Sequence, residues 1–351
     1  MGGNCMRGLV KVAPGEGNME LRDLEPPKPG PGQVLIEVKY AGICGSDLHI
    51  YHWDIGHAMK PPMVIGHEFS GVIVELGKDV EGWKVGDRVT AEPSAIICGS
   101  CRYCRTGAYN LCAHRKIMGY WVDGVFAEYV VVGPTWRLHK LPELVSFEEG
   151  ALTEPLACCV HAVYELTGVE VGDFVVITGP GAIGLLTAQL AKAEGAEVML
   201  LGTRADQKRL AVARELGGDH CITIEDKNPV ELVKELTEGY GADTVFECSG
   251  VEAAVSLGIE IVRKQGKYTQ VGLFGKPIRV DFERLAYKEL KVTGSMAQRY
   301  TAWKRTLKIM ELGKVNLKTI ISDIMPLSQW KRAFEKFEKK DGLKVLLNPK
   351  E

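Results

Sequence analysis

The sequence contains two sets of residues whose chemistry suits a metal ion. In the first set, Cys44, His67 and Glu68 supply a thiolate, an imidazole and a carboxylate. This mixture suits a borderline-soft cation such as zinc, and three protein ligands with an open position are what a catalytic zinc ion requires. Taken singly, Cys44 is the kind of residue that is buried for packing, and His67 could be an ordinary core histidine. The prediction of a catalytic metal site therefore depends on the combination.

The second set consists of closely spaced cysteines. Cys98, Cys101 and Cys104 follow one another at steps of three, and Cys112 lies eight residues further on. Four thiolates at this spacing can complete the shell of one tetrahedral zinc ion, and a complete shell makes such a site structural. Steps of three also suit iron–sulfur ligation, so the spacing alone leaves both kinds of site open.

A glycine-rich motif follows a run of residues that favour β structure. Phe174–Thr178 leads directly into the motif, and a helical stretch continues to about Glu194. A strand before and a helix after are the context that a dinucleotide-binding G-x-G-x-x-G loop requires. The first glycine allows the tight turn, the second lets the backbone approach a pyrophosphate, and the third lets the helix pack on the strand. The predicted loop comprises Gly179, Pro180, Gly181, Ala182, Ile183 and Gly184.

The next strand lacks the acidic residue that usually holds the ribose 2′-hydroxyl of NAD. It is followed by Gly202, Thr203 and Arg204, and the first acid afterwards is Asp206. A small hydroxyl residue beside an arginine could accept a 2′-phosphate, which favours NADP; the alternative is that Arg204 is solvated and Asp206 reaches back. Further cofactor-binding candidates are Arg209, Ser249, Val271, Gly272, Leu273, Ser295 and Met296.

The elements that position these residues differ along the chain. Up to about residue 153 the sequence shows short β segments between Gly and Pro turns, for example Val34–Tyr40, Ser70–Leu76, Arg88–Glu92 and Ala127–Val132. From Phe174 to Thr293, Val/Ile-rich strands alternate with helical stretches, which predicts an α/β unit with a doubly wound, parallel, six-stranded sheet of Rossmann type. The six strand candidates are Phe174–Thr178, Val198–Leu201, Cys221–Ile224, Thr244–Glu247, Tyr268–Val271 and Lys291–Thr293. After Gly294 we expect a helix at about Ala302–Leu312 and a return to the first domain.

Length, charge and cysteine content limit the class of protein. At 351 residues two domains are expected, and a net charge of −2 offers no basic field for nucleic acid or for a membrane surface. No run of 18 apolar residues and no apolar N-terminal segment occurs, so we expect neither a membrane span nor a signal peptide. Ten cysteines without a signal peptide indicate thiols or metal ligands in a reducing compartment, and a cytoplasmic location is expected.

Taken in order, these motifs resemble the zinc-containing medium-chain alcohol dehydrogenase family, in its sorbitol (L-iditol) 2-dehydrogenase and threonine 3-dehydrogenase branch. The resemblance covers essentially the whole chain. Besides the features above it includes Gly42–Asp47 (G-I-C-G-S-D), Gly86–Val89 (G-D-R-V) and Glu154–Leu156 (E-P-L). It implies a GroES-like β-rich catalytic domain (1–153 and 294–351) with a structural-zinc lobe at about 96–114. It also implies a Rossmann-like NAD(P)-binding domain (154–293), two zinc ions per chain, and an active site in the cleft between the domains.

The resemblance also implies individual roles. Cys44 and His67 match catalytic zinc ligands, Glu68 matches a residue that is a direct ligand in polyol-type members, and Glu154 matches the fourth position. Ser46 matches the hydroxyl that contacts the substrate oxygen. His49 matches a proton-relay histidine, with a plain surface-loop residue as the alternative. Relatives with Glu at the fourth position are commonly tetramers, so a homotetramer is expected.

The substrate is an alcohol for which two classes compete. The stretch from His49 to Asp54 looks like that of L-threonine 3-dehydrogenases, but Ala157-Cys158-Cys159 replaces the Gly-Asn-Ala usual there. Three aromatic residues could stack on a sugar chain, namely Trp53, Tyr120 and Trp121. We therefore favour a polyol over threonine. Two other classes are disfavoured. A zinc-free quinone-reductase-like relative would lack the cysteines and His67, which are present here, and a nucleic-acid-binding zinc protein would carry a basic face, which the net charge does not support.

Overall fold

The computed structural model describes residues 5–54 and 59–351 and divides the chain into two compact units. The first unit comprises the chain up to Pro155 together with Arg299–Leu307 and Ile321–Glu351, and the second comprises Leu156–Gln298 and Lys308–Ile320. The predicted division differs in the C-terminal part, because it assigned all of 294–351 to the first domain. Within the second unit, Asn316 of the segment 308–320 and Gln189 of the helical stretch after the glycine loop exchange two hydrogen bonds, of 3.3 and 2.6 Å.

The chain forms eighteen strands and eleven α-helices among the described residues. The strands are β1 (Met6–Lys11), β2 (Met19–Leu24), β3 (Val34–Gly42), β4 (Met63–Val64), β5 (Glu68–Leu76), β6 (Arg88–Ala91), β7 (Ser94–Ile96), β8 (Lys116–Ile117), β9 (Tyr129–Val132), β10 (Leu138–Lys140), β11 (Phe174–Thr178), β12 (Glu197–Gly202), β13 (His220–Thr223), β14 (Ala242–Glu247), β15 (Val262–Gln270), β16 (Lys291–Gly294), β17 (Ile321–Pro326) and β18 (Lys344–Asn348). The helices are α1 (Gly45–His52), α2 (Arg102–Arg105), α3 (Phe147–Gly150), α4 (Thr153–Val160), α5 (Ala182–Ala193), α6 (Gln207–Glu215), α7 (Pro229–Leu236), α8 (Glu252–Ile261), α9 (Glu283–Tyr287), α10 (Tyr300–Glu311) and α11 (Trp330–Glu338).

The first unit is built from β-sheets. Its largest sheet has the order β10-β6-β5-β3-β18-β17, with β9 also paired to β3, and its neighbours are antiparallel except for the pair β17–β18. A smaller sheet has the order β2-β1-β4, and β7 pairs with β8. Side chains of β3 and β5 alternate toward a core that also receives Trp330 and Phe334 from α11. This β-rich architecture confirms the predicted class of the first domain.

The second unit contains the predicted parallel sheet. Its strand order is β13-β12-β11-β14-β15-β16, and every neighbouring pair is parallel. All five residues of β11 are buried, as expected for an apolar strand covered by helices on both faces. Helix α5 packs on β11 and β12, and α8 packs on β14 and β15. The strand order reverses between β11 and β14, and in such sheets the ligand crevice lies at the carboxyl ends of the strands at this reversal.

None of the helices within residues 5–54 and 59–351 combines the length and the apolar character that crossing a membrane would require.

Candidate active site and dinucleotide site

Local backbone structure places the three candidate ligands of the first unit at the ends of elements. Cys44 precedes α1, and its backbone N–H donates to Asp47 Oδ2 at 2.8 Å, which satisfies one of the free amides at this helix end. His67 lies between Gly66 and the first residue of β5, Glu68. Gly66 has a φ of +91°, and a Cβ there would approach the Phe126 ring to 2.6 Å, so the bend that carries His67 requires glycine.

These three residues come together although they are distant in sequence. One ligand atom from each of Cys44, His67 and Glu68 lies within 4.8 Å of the other two. Glu154, in the first turn of α4, is not part of that group, but it is buried and its charge contributes to raising the pKa of His67. The structure thus brings the predicted ligands Cys44, His67 and Glu68 together, with Glu154 close enough to interact electrostatically.

The electrostatics of this cluster favour a cation. Burial by itself would lower the pKa of His67, but neighbouring Cys44, Asp47 and Glu154 raise it to about 10. Asp47 is fully buried; its burial raises the pKa of the carboxyl to about 6, and its Oδ1 lies 3.7 Å from His67 Nδ1. Several acidic groups therefore surround one imidazole away from water, and a divalent cation at this position would offset their charge. The donor set fits zinc.

Lys344 is part of this cluster, although it was not predicted as a site residue from the sequence. Its buried Nζ, at the start of β18, donates to both carboxylate oxygens of Glu68, at 2.9 and 2.6 Å, and to the Ile43 carbonyl at 3.0 Å. Lys344 and Glu68 are 276 residues apart, so no local sequence motif indicates that they form a pair. The available signal was a lysine at the edge of the apolar run Val345–Leu347. The ammonium holds the Glu68 carboxylate in one orientation beside Cys44 and His67.

The four-cysteine lobe is compact. The ligand atoms of Cys98, Cys101, Cys104 and Cys112 all lie within 4.8 Å of one another, and Cys98 Sγ is 3.9 Å from Cys104 Sγ and 3.6 Å from Cys112 Sγ. A tetrahedron with metal–sulfur bonds of about 2.3 Å has sulfur–sulfur edges of about 3.8 Å. A multi-iron cluster would instead spread its thiolates over several irons. Backbone N–H groups of Cys101 and Ser100 lower the pKa of Cys98 to about 6, which favours its thiolate. The lobe fits one zinc ion.

The glycine loop of the second unit is shaped for close approach by a ligand. Gly179 has a φ of +89°, which favours glycine. A Cβ on Gly184 would lie 2.0 Å from the Gly179 carbonyl oxygen, so helix α5 can approach the turn this closely only if residue 184 is glycine. A Cβ on Gly181, by contrast, would meet no protein atom within 4 Å. Gly181 borders α5, whose first amides are free for an anion. The loop therefore fits a dinucleotide pyrophosphate.

Comparison with known proteins agrees with this geometry. Residues 30–143 match the family described as alcohol dehydrogenase GroES-like domain, and residues 182–311 match the family described as zinc-binding dehydrogenase. The chain is 47% identical to a sorbitol dehydrogenase of Halalkalibacterium halodurans, covering 98% of this chain and 99% of that protein. It is 41% identical to a D-arabitol-phosphate dehydrogenase of Enterococcus avium, over 99% of both. It is 38% identical to an L-threonine 3-dehydrogenase of Pyrococcus horikoshii, over 94% of both.

A solved structure gives the same result. A protein of Sinorhizobium meliloti described as a zinc-binding dehydrogenase, bound to NADP, superposes with a TM-score of 0.91 at 32% identity, covering 99% of this chain and all of that one. This chain belongs to the zinc-dependent medium-chain alcohol dehydrogenase family. The protein is accordingly an NAD(P)-dependent oxidoreductase, as predicted.

Two residues predicted for proton handling in this dehydrogenase lie in different surroundings. The Ser46 Oγ atom is buried and lies near the Tyr120 hydroxyl, with which it interacts. His49, on α1, is more than a third exposed, and its Nδ1 lies 2.8 Å from Asp54 Oδ1. This position connects His49 to solvent.

The aromatic pocket candidates of the dehydrogenase separate into two groups. Tyr120 is buried with its ring 6.0 Å from the His67 ring, and it stacks on Trp121 at 5.7 Å. Burial, together with neighbouring negative charge, raises the pKa of Tyr120 well above its usual value. Trp53 instead ends α1 in a left-handed conformation and lies under the Lys11 ammonium, 5.0 Å from the ring centre. The stacked pair Tyr120 and Trp121 is thus next to the candidate metal ligands, with Tyr120 nearest to His67. Trp53 instead packs against the Lys11 side chain.

The end of β12 shows how the predicted ribose-binding residues are arranged. Asp206 Oδ2 accepts hydrogen bonds from Thr203 N at 3.0 Å and from Thr203 Oγ1 at 2.8 Å. This carboxylate therefore stabilises the turn from Thr203 to Asp206. The exposed Arg204 guanidinium donates to Asp226 at 2.9 Å, and Arg209 lies 3.9 Å from Asp206. The carboxylates at this strand end are all engaged: Asp206 with Thr203, Asp226 with the Arg204 guanidinium, and Glu225 with the Arg204 backbone N–H.

The remaining cofactor candidates lie after β14, β15 and β16. Ser249 follows β14, and Ser295 N donates to Gln270 O at 2.9 Å, which joins the ends of β15 and β16. The side chains of Leu273 and Met296 are largely exposed. All of these residues are at the carboxyl ends of parallel strands, the edge at which such folds bind ligands.

Proposed function

We propose that the protein is a polyol dehydrogenase, which oxidises a secondary hydroxyl of a sugar alcohol to a ketone and passes hydride to NAD(P). The similarity to sorbitol dehydrogenase, at 47% identity over 98% of the chain, carries this proposal. Glu154 is consistent with it, since polyol and threonine dehydrogenases both have Glu at that position where classical alcohol dehydrogenases have Cys. The reaction converts the alcohol and NAD(P)⁺ into the ketone, NAD(P)H and one proton.

Two zinc ions per chain are part of the proposal. Cys98, Cys101, Cys104 and Cys112 would hold the structural ion, and Cys44, His67 and Glu68 the catalytic one. Glu154, whose charge acts on His67, would be the fourth ligand of the catalytic ion. The catalytic ion, when bound, supplies Lewis acidity that lowers the pKa of the alcohol. Asp47 would act on His67 through its charge, since its Oδ1 lies 3.7 Å from the ring nitrogen Nδ1, beyond hydrogen-bonding distance. Lys344 keeps the Glu68 carboxylate from turning freely.

The proton route uses residues of α1. The Ser46 hydroxyl would accept the proton of the substrate hydroxyl while releasing its own, and that proton would reach solvent through His49, which is paired with Asp54, or through water. Tyr120 and Trp121 form the apolar wall next to the metal cluster and exclude water from it. The nicotinamide, when bound, would accept the hydride released from the carbinol carbon.

For the cofactor we propose NADP rather than NAD. Asp206 is engaged with Thr203, so the strand end offers no free acid for a ribose 2′-hydroxyl. Arg204 would exchange its exposed partner Asp226 for a 2′-phosphate. The Sinorhizobium meliloti structure is bound to NADP. Arg204→Gln should lower the ratio of kcat/KM for NADP to that for NAD about tenfold or more, while Arg284→Gln, at another exposed arginine of the same unit, should leave it unchanged. A strong wild-type preference for NAD contradicts the proposal.

Initial rates with a substrate panel test the proposed activity. The panel contains sorbitol, L-iditol, other polyols, L-threonine and simple alcohols, each with NAD and with NADP. A polyol should give the highest kcat/KM. L-Threonine is the alternative substrate, because threonine 3-dehydrogenases are similar over 94% of the chain; threonine turnover faster than that of every polyol would decide for it. Metal analysis should find two zinc ions per chain, and Cys44→Ser should abolish turnover.

The proposal includes a homotetramer in the cytoplasm. No disulfide bond is formed among the described cysteines, which fits a reducing compartment. The tetramer follows from the resemblance to members with Glu at the fourth position. Light scattering of the purified holoenzyme measures its mass, and a dimer or monomer would contradict this part.

A further inference from the structure

A buried carboxylate in the second unit joins three ligand-facing loops. Glu247, the last residue of β14, is fully buried. Its Oε1 accepts hydrogen bonds from Ser249 N at 2.8 Å, Gly250 N at 3.0 Å, Thr178 Oγ1 at 3.2 Å and the Ser249 hydroxyl. Its Oε2 accepts from Gln270 Nε2 at 2.6 Å and Gly250 N at 3.1 Å. These donors come from the ends of β11, β14 and β15, so one side chain connects all three.

The backbone around this carboxylate is closely packed. A Cβ on Gly272 would lie 2.6 Å from Glu247 Oε2 and 2.3 Å from Gly250 N. A Cβ on Gly179 would lie 2.8 Å from Ser249 Cβ. The backbone N–H of Gly272 also donates to the Glu247 carbonyl at 2.8 Å. The loops after β11, β14 and β15 therefore pack against one another around the carboxylate.

The partners of Glu247 are all neutral dipoles, with no arginine or lysine among them. A buried charge is costly unless its hydrogen-bonding capacity is filled, and here both oxygens are filled by donors aimed from fixed loops. Apolar residues could pack between the same loops without the desolvation cost of a buried charge. A carboxylate at this position is therefore suited to hold the loops in one arrangement, because any loop movement breaks a charge-assisted hydrogen bond.

We propose that Glu247 is a positioning residue for the nicotinamide half of the dinucleotide. In a sheet of this order the two halves each bind one mononucleotide, and the ribose-binding end of β12 belongs to the adenosine half. The loops after β14 and β15 then serve the other half. Glu247 fixes Ser249, Gly250 and Gly272 relative to the glycine turn at Gly179. The inference rests on the proposed use of NAD(P) by this unit.

Glu247→Gln is the decisive variant. The four donors at Oε1 require an acceptor there, so the new amide would face Gln270 Nε2 and Gly250 N, which are also donors. We expect NADPH binding, measured by its fluorescence, to weaken roughly ten- to hundredfold. Binding of 2′-phospho-ADP-ribose, which lacks nicotinamide, should change less than about threefold. The KM for the dinucleotide should rise, while the KM for the alcohol changes little. Glu235→Gln, an exposed glutamate of the same unit, is the matched control.

Other outcomes separate the inference from the proposed function. Equal weakening for NADPH and for 2′-phospho-ADP-ribose, or a lower melting temperature with unchanged affinity, shows a general structural role and overturns the inference. A wild-type protein that binds neither NADPH nor NADH overturns the proposed function instead. If Glu247→Gln does not fold, Gln270→Met removes a single donor to the carboxylate. It should weaken NADPH binding about three- to tenfold with the same selectivity, and an unchanged affinity there also overturns the inference.

Discussion

Replacing Lys344 with methionine removes the buried counter-charge of Glu68 while keeping an unbranched side chain of similar length. Both side chains are almost completely buried, at 4% and 1% exposure. The variant leaves the Glu68 carboxylate in the protein interior without its ammonium partner. Because Cys44, Asp47 and Glu154 are close by, the region becomes still more negative.

The magnitude follows from this burial. Removing one partner of a buried pair costs about 3–5 kcal/mol, since the remaining charge is uncompensated. For a unit of this size each kcal/mol corresponds to roughly 2–4 °C, so the metal-free variant should melt roughly 6–20 °C lower than the wild type. A zinc ion beside Glu68 would offset the lost charge. We therefore expect the melting temperature of the zinc-loaded Lys344→Met protein to fall by less than half of the fall in the metal-free variant. Zinc should accordingly stabilise the variant more than the wild type.

Thermal unfolding followed by circular dichroism, with EDTA-treated and zinc-loaded samples, measures both quantities. Lys339→Met is the control, because Lys339 is exposed and 4.0 Å from Glu335, and it should shift the melting temperature by only about 1–3 °C. Glu68→Gln combined with Lys344→Met removes both charges and should recover much of the metal-free stability. A metal-free Lys344→Met protein that melts within about 2 °C of the wild type, or a zinc effect no larger than in the wild type, would refute the reasoning.

Three further predictions concern other parts of the chain. Cys104→Ser should remove one zinc equivalent by metal analysis and lower the melting temperature, because the lobe loses one of its four thiolates; two zinc ions retained would contradict the assignment. Burial alone would lower the pKa of His52, but hydrogen bonds to Glu338 and Glu16 raise it, so its contribution to stability is complete below about pH 6.5 and is lost as the pH rises through the raised pKa. The melting temperature of the wild type minus that of His52→Gln should therefore be positive at low pH and disappear at high pH, and the opposite trend would show that the pairing is not stabilising. Gly181→Ala should weaken NADPH binding at an unchanged melting temperature, whereas Gly184→Ala should reduce both, since only the second Cβ meets backbone; equal melting temperatures for the two variants would exclude this explanation.

Local motifs predicted much of the molecule. The six strands of the second unit occur where the apolar runs indicated, and β11 has the predicted bounds Phe174–Thr178. The four-cysteine lobe and the glycine loop were also recognisable, because their ligands or turns lie within a few residues of one another. The C-terminal division differed because the segment 308–320 packs with the second unit through contacts distant in sequence, such as those between Gln189 and Asn316, 127 residues apart.

Side-chain partners from distant segments could not be predicted in this way. Trp53 was a candidate for the substrate pocket, but the structure places it under Lys11. Arg204 was expected at the ribose, and nothing in the sequence indicated the surface partner, Asp226, with which it pairs in the structure and which a 2′-phosphate would have to replace. Each of these contacts depends on where another segment of the chain lies, which a periodic pattern does not encode.

The sequence by itself determined the kinds of chemistry: thiolates, imidazole and carboxylates for metal, and a glycine turn for a dinucleotide. These follow from residue type and short spacing, which survive in any fold that contains them. Only the tertiary structure decided which charges compensate one another. Lys344 meets Glu68 across 276 residues, and Glu247 collects donors from three strand ends. A buried charge is stable only where other segments supply its partners, so its role is decided by packing rather than by its neighbours in sequence.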